Sequence, residues 1–300
     1  MTTAGLLSVG GRYAEGKLCD LAVDLQRPTV TRLFIGQLPE AVVKTIPYLF
    51  TLCAHAQRVA AQAALAAAEG QAPRAADSSE LWVEVLHENL WRLLLDWPPA
   101  LGLAAENAAF IAWRNGRQGP ACLATTRSLL ADTLQPLARK CLKILVDRGD
   151  DSPAQPAARF APEPWLAYWQ GMSAEMPRPD RPTSIGAVYR RRLAEIEAAV
   201  AALADGRPFP VAVAGDDGWG VGQTLTARGI LTHAVHVVDG KVASFRVQAP
   251  TDSYFADSGP LASLLENCQF TSADQARQVL NQAILALDPC LPYVVELQDA

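Results

Sequence analysis

Cys290 sits between Asp288-Pro289 and Leu291-Pro292, ten residues before Ala300, in the closing stretch ALDPCLPYVVELQDA. Flanks of that kind raise the question of whether another part of the chain supplies a matching thiol. The six cysteines, at positions 19, 53, 122, 141, 268 and 290, include no CxxC and lack the dense spacing of a secreted disulfide scaffold, so reduced thiols are expected. The four histidines, at 55, 87, 233 and 236, form no HExxH and no Cys/His zinc pattern. His233 and His236 are three apart in a strand-like run and would face opposite sides, which makes them a poor chelate. GxxxxGK[ST] and GxSxG are absent, and GWGVG at 218–222 lacks the third glycine and the βαβ context of a dinucleotide loop. Asp216-Asp217 reads as a loop and not as a magnesium site.

The chain that must position these groups has 300 residues, half of them hydrophobic, enough for a substantial core. A net charge of −5 without a sustained Lys/Arg stripe gives nucleic acid little to hold. MTTAGLLSVGGRYAEG lacks the basic start and apolar stretch of a signal peptide, and no apolar run reaches the roughly 20 residues of a membrane span. A cytoplasmic protein that does not bind membranes is expected. The expected organisation is one domain, 1–300, with Pro-rich surface segments near 150–164 and 176–183.

Periodicity gives a coarse map. KLCDLAVDL and VTRLFIG alternate like strands and form an expected hairpin. From Pro39, Val42, Ile46, Leu49 and Cys53 follow one helical face, with Pro47 bending or interrupting it. CAHAQRVAAQAALAAAEG is alanine-dense and suits close helix packing. ELWVEVLHENLWRLLLDW should be a helix ended by Pro98 and Pro99, with further helices near 104–114 and 123–147 and a short docked one in PWLAYWQGMSAEM. SIGAVYRRRLAEIEAAVAALADG is a long amphipathic helix ending at Asp205-Gly206, and its RRR run reads as a solvated face. Strands return from about 221, with Asp239-Gly240 as a hairpin turn. Ser272 and Gln275 suggest a capping box for the last helix, SADQARQVLNQAILAL. The predicted class is α+β, mainly α: a helical bundle with small peripheral sheets.

Four pieces, in order, resemble active-site motifs of the large subunit of nickel-iron hydrogenases. DPCLPYVVE resembles Asp-Pro-Cys, two residues, Cys, two residues, His: Asp288, Pro289 and Cys290 match, whereas Tyr293 and Glu296 replace the second cysteine and the histidine. LCAHAQRVAAQAALAAAE resembles Cys-Gly-x-Cys, three residues, His, and an alanine-containing helix with a glutamate. Cys53 matches, Ala63, Ala67 and Glu69 keep the register, and Ala56 and Ala60 replace the second cysteine and the histidine. TARGILTH resembles Ala-Pro-Arg-Gly-x-Leu-x-His through Arg228, Gly229, Leu231 and His233, with Ala227 on the proline. YAEGKL resembles Arg-Ile-Glu-Gly-His-Leu, with Glu15 on its glutamate.

In that family the first cysteine of each motif binds nickel and the second bridges nickel and iron. Both bridging positions are lost here, and neither Tyr293 nor Ala56 supplies soft sulfur, so no bimetallic centre, no nickel and no hydrogen turnover are expected. A truncated relative with one cysteine per motif resembles the HupK/HoxV group of hydrogenase maturation proteins. That resemblance implies a non-catalytic scaffold carrying the Fe(CN)2(CO) unit transiently, with Cys53 and Cys290 as metal ligands. It implies two partners, a small chaperone of the HypC type and the hydrogenase large-subunit precursor or its maturation machinery; the sequence shows no obvious heptad or edge strand, so a monomer with transient complexes is expected. With QDA as the last residues, the proteolytic step that matures the enzyme subunit is expected to have no substrate here.

Arg228 could donate N–H groups to a cyanide nitrogen, or form a surface salt bridge. Asp288 pairs with that arginine or caps local backbone. Glu15 reads as a structural hydrogen-bond partner, His233 as a core histidine, and His55 as a neighbour of Cys53. Cys19, Cys122, Cys141 and Cys268 read as packing residues. Two alternatives stay open: a metal-free chaperone mimicking the large subunit, and an enzyme with Cys290 as nucleophile and Asp288 or His233 as base.

Overall fold

Residues 5–299 are described by a computed structural model. Strands β1 (Leu6–Ala14) and β2 (Lys17–Gln26) form an antiparallel hairpin closed by Glu15 and Gly16, both at positive φ, 51° and 76°. The strand partner of KLCDLAVDL is therefore the segment before it. VTRLFIG was expected as that partner; instead Val30–Phe34 is a 3-10 turn, because Pro28 carries the chain off the sheet and Phe34 turns inward, 1 % exposed, onto the Phe245 ring. At the other end of the chain, β7 (Tyr293–Asp299) runs parallel to β1 and completes the sheet in the order β2-β1-β7. Both chain ends thus meet in one sheet, with Cys290 just before β7.

Helix α1 (Pro39–Leu49) carries Pro47 in its last turn and stops two residues later. Cys53 does not continue that face; it is the N-cap residue of the alanine-rich α2 (Ala54–Ala68). Next come α3 (Ser78–Trp91), a π turn at Arg92–Asp96 and α4 (Trp97–Ala100), so Pro98 and Pro99 lie inside a short helix and not beyond the end of one. Then follow α5 (Asn107–Gly116), α6 (Cys122–Leu129), a second π turn at Leu130–Leu134 and α7 (Gln135–Asp147). After the first Pro-rich stretch come α8 (Pro162–Trp169) and α9 (Ile185–Asp205), which ends at Gly206 in the left-handed region.

A second sheet, β3 (Val211–Asp216), β4 (Trp219–Thr226), β5 (Gly229–Val238) and β6 (Lys241–Gln248), is an antiparallel meander that begins one strand earlier than the sequence suggests. Its Asp239-Gly240 turn is as expected. Short helices α10 (Pro250–Tyr254) and α11 (Gly259–Leu265) lead to α12 (Ala273–Leu287), capped by Ser272 Oγ on the Gln275 amide at 3.2 Å.

Helix α2 lies directly on this second sheet, and its packing accounts for Gly215, Gly220 and Gly222. A Cβ at Gly215, Gly220 or Gly222 would fall 2.3, 2.0 or 2.3 Å from the carbonyl oxygens of Ala67, Ala64 and Ala60. Alanine on one surface and glycine on the other let helix and strand backbones touch, which fixes where the first turn of α2 is placed. The main core lies among α3, α4, α9 and α12, where Leu86, Leu90, Trp97, Tyr189, Ile196, Leu280 and Ile284 are at most 1 % exposed. Burial of each such side chain stabilises by about 1.5–3 kcal/mol. No helix among the described residues is long and apolar enough to cross a membrane.

The RRR run departs from expectation. Arg191 and Arg192 of α9 are buried, Arg192 at 0 % exposure, because other helices, α3 and α12 among them, cover α9; Arg191 pairs with Glu195 on α9 itself and Arg192 with Asp288 at the end of α12.

Candidate functional site

The site forms where the first turn of α2, the β4–β5 hairpin and the end of α12 converge. Arg228 occupies the tip of that hairpin, which closes on the Thr226–Gly229 pair. Thr226 Oγ1 accepts from the Arg228 amide at 3.2 Å and donates to the Gly229 carbonyl at 2.9 Å. Gly229, at φ 135°, packs on Pro250, and the tip turns inward, leaving Arg228 3 % exposed. The surface salt bridge considered for Arg228 is therefore a buried one: Nη2 donates to Glu88 Oε2 at 2.8 Å, and Nε lies 3.4 Å from Asp288 Oδ1 without making a hydrogen bond. Nη1 has no partner.

Asp288 is the C-cap of α12 in the left-handed region, φ 51°, a position usually given to glycine or asparagine. Its carboxylate explains the exception. Oδ1 accepts from Arg92 Nε at 2.7 Å and Oδ2 from Arg192 Nη2 at 2.8 Å, with Arg228 beside them. Burial alone would raise its pKa, but the charges of Arg228, Arg192 and Arg92 outweigh it and hold the carboxyl at about 2. Asp288 thus acts as an anchor, joining the last turn of α12 to α9, the β4–β5 tip and the π turn that begins at Arg92. Glu88 completes the network, with His87 Nδ1 at 3.2 Å from its other oxygen.

The two thiols lie within electrostatic reach of Arg228, whose charge acts on both of them, and of each other. Burial pushes the Cys53 thiol up to about 12; Arg228 opposes this, Glu84 and Cys290 add to it, and a hydrogen bond from Gln57 lowers it again. Gln57 Nε2 donates to Cys53 Sγ at 3.6 Å, and its Oε1 lies 2.7 Å from His233 Nε2. His233, fully buried, has its pKa pushed down by that burial to about 3, so the neutral ring donates to Gln57 and fixes the amide that reaches the sulfur. Glu84 caps α2, accepting from the amides of His55 and Ala56 at 2.9 and 3.0 Å. Cys290 is half-buried; its amide donates to Thr251 Oγ1 at 3.2 Å and its sulfur accepts from Arg27 Nη2 at 2.8 Å.

The chain can be aligned over 99 % of its length with the whole of a protein from Azotobacter vinelandii named hydrogenase expression/formation protein HupK, at 32 % identity. The chain belongs to the HupK/HoxV family. HupV of Azotobacter chroococcum is 30 % identical over 98 % of the chain and 99 % of that protein, and HoxV of Cupriavidus necator 27 % identical over 100 % and 98 %. The reduced nickel-iron-selenium hydrogenase of Desulfovibrio vulgaris Hildenborough has the same fold, with a TM-score of 0.63 at 12 % identity over 93 % of this chain and 94 % of that one. An NAD+-reducing nickel-iron hydrogenase superposes with a TM-score of 0.52 at 14 % identity over 92 % and 93 %. No protein-family model matches the chain. The fold is that of the nickel-iron hydrogenase large subunit.

Of the residues this HupK/HoxV relative was expected to use, Cys53, Cys290, Arg228 and Asp288 are brought to one place. Others lie elsewhere. Glu15 is exposed in the β1–β2 turn, and no side-chain hydrogen bond from it is found among the described residues, so it is a turn residue and not the expected structural partner. The imidazole of His55 faces Glu80, with Nδ1 3.1 Å from Oε2. His236 stacks on Trp219 at 4.5 Å. Cys141 is buried, and Cys268 packs against the core.

Motif spacing did not indicate Arg27, Gln57, Glu84, Glu88, Arg92 or Arg192. The one available signal was the Arg191-Arg192 pair on a helix otherwise rich in apolar residues, which needs buried carboxylates if that face is covered. Two soft sulfur donors can bind one soft metal. No three His, Cys, Asp or Glu side chains converge among the described residues, so protein groups alone do not fill a four-coordinate shell.

Proposed function

We propose that this protein is a non-catalytic scaffold in nickel-iron hydrogenase maturation, holding the Fe(CN)2(CO) unit through Cys290 and Cys53 before its transfer to the hydrogenase large subunit. The relatives' names support the maturation role. The finer reading is carried by one observation: two thiols lie beside a buried arginine whose Nη1 is a donor without an acceptor. A buried orphan donor is costly unless a ligand satisfies it. A metal unit that brings its own diatomic ligands needs few protein donors, and a cyanide nitrogen is an acceptor suited to Arg228. Asp288, taken up by three guanidiniums, would hold Arg228 and the end of α12 in place and would not be a ligand. Nickel, a bridging site and turnover have no role in this reading, and the partners are the small HypC-type chaperone and the large-subunit precursor.

The test is complementation of hydrogenase activity in a strain lacking this protein. Cys290→Ala should abolish rescue and Cys53→Ala should reduce it strongly, at unchanged protein level. Full rescue by the double variant would favour the metal-free chaperone.

A further inference from the structure

The charge that faces the thiols differs from what a site for a bare metal cation would have. Arg27 follows β2, and its guanidinium has a sulfur on one side and a carboxylate on another: Nη2 donates to Cys290 Sγ at 2.8 Å, and Nε lies 3.0 Å from Asp252 Oδ1 as an ion pair without making a hydrogen bond. Asp252 is itself fixed, accepting from the Ala249 amide at 2.8 Å. Thr251, the preceding residue, accepts from the Cys290 amide. One turn of α10 therefore holds Cys290 twice, once directly and once through Arg27. The charge of Arg228 acts on both sulfurs.

The carboxylates nearby are all committed: Asp252 to Arg27 and Ala249, Glu84 to two α2 amides, and Glu88 and Asp288 to arginines. One guanidinium thus contacts Cys290 and another acts on both sulfurs, while the Glu84 carboxylate, which also acts on Cys53, is held by backbone amides.

We infer that Arg27, together with Arg228, makes the thiol pair selective for a metal unit whose own anionic ligands have cancelled its charge, and against bare divalent cations. This inference rests on the scaffold reading for the identity of the cargo, but its chemistry stands on the charges alone. A bare dication placed between two thiolates brings its full charge against two guanidiniums. A ferrous ion with two cyanides and a carbonyl brings no net charge, so the same guanidiniums do not repel it and can donate to its ligands. Arg27 is in this sense a specificity-determining residue, and the chain would be protected from capturing zinc or nickel while waiting for its cargo.

The test uses the metal-free, full-length protein and cadmium alone, followed by the thiolate-to-cadmium ultraviolet absorption. Arg27→Leu should bind cadmium about tenfold tighter than the wild type, the scale on which outer partners alter metal affinity. Arg27→Lys should stay near wild type. Asp252→Asn, which leaves Arg27 unopposed, should bind cadmium more weakly. Equal or weaker binding by Arg27→Leu would overturn the inference, since a residue that only supports the fold would loosen the site when removed. Loss of cyanide and carbonyl infrared bands from the wild type would remove the cargo reading and leave the cadmium ordering to be judged separately.

Discussion

Cys53 and Cys290 reach the site from opposite ends of two helices, and the two ends are neutralised in different ways. Cys53 precedes the first turn of α2, where free amides and the positive end of the helix dipole attract a carboxyl group, and Glu84 supplies one although burial raises its pKa to about 7. Cys290 follows the last turn of α12, where a carboxylate is out of place, yet Asp288 is there. It is tolerated because three arginines surround it. The Cys53 end is held by a neutral chain, His233 to Gln57 to sulfur; the Cys290 end is held by charge, through Arg27 at the rim and the Asp288 cluster behind. One thiol is fixed by dry packing and the other by ion pairs. The second kind of support is the one whose strength changes with the charge of what binds.

The largest effect should come from the charged end. Asp288→Asn keeps a side chain suited to the left-handed turn but leaves three guanidiniums without their common anion, and should destabilise the fold by about 3–5 kcal/mol in urea unfolding. Because the folded-state pKa of Asp288 is depressed to about 2, its stabilisation is present above its usual value of 3.8 and lost as pH falls towards 2. The variant and the wild type should therefore converge in acid. A constant difference down to pH 2 would remove Asp288 as an electrostatic anchor.

Glu84 should behave with the opposite sign and a smaller amplitude. Burial raises its pKa from 4.5 to about 7, the amides of His55 and Ala56 lowering it only in part. Folding therefore favours the protonated acid, and stability should fall as pH rises from about 4.5 to about 7. Glu84→Gln should flatten that slope, measured as melting temperature against pH. An unchanged slope would mean that the α2 end is not neutralised as described.

Much of this was legible in sequence. Asp288, Cys290, Cys53 and Arg228 fall on ordered motifs, and the end of α12 before Cys290 follows from periodicity, whereas periodicity put Cys53 on the face of the preceding helix. Partners set by packing alone were not legible. Arg27 lies 263 positions from Cys290 and belongs to no motif. Arg192 read as solvated because its neighbours are charged, while the helices that cover it are distant in sequence. VTRLFIG alternates like a strand, but the burial of Phe34 decides otherwise. Gly220 and Gly222, in GWGVG, looked like part of a failed nucleotide loop; their purpose becomes visible only when α2 is laid against them.

The most direct test of the central claim is infrared spectroscopy of protein purified without oxygen from a host with the complete maturation machinery, with iron and nickel measured on the same sample. The account predicts cyanide and carbonyl stretching bands, iron without nickel, and loss of both bands and iron in Cys290→Ala. A preparation with neither bands nor iron, from cells whose hydrogenase is nonetheless matured, would contradict it.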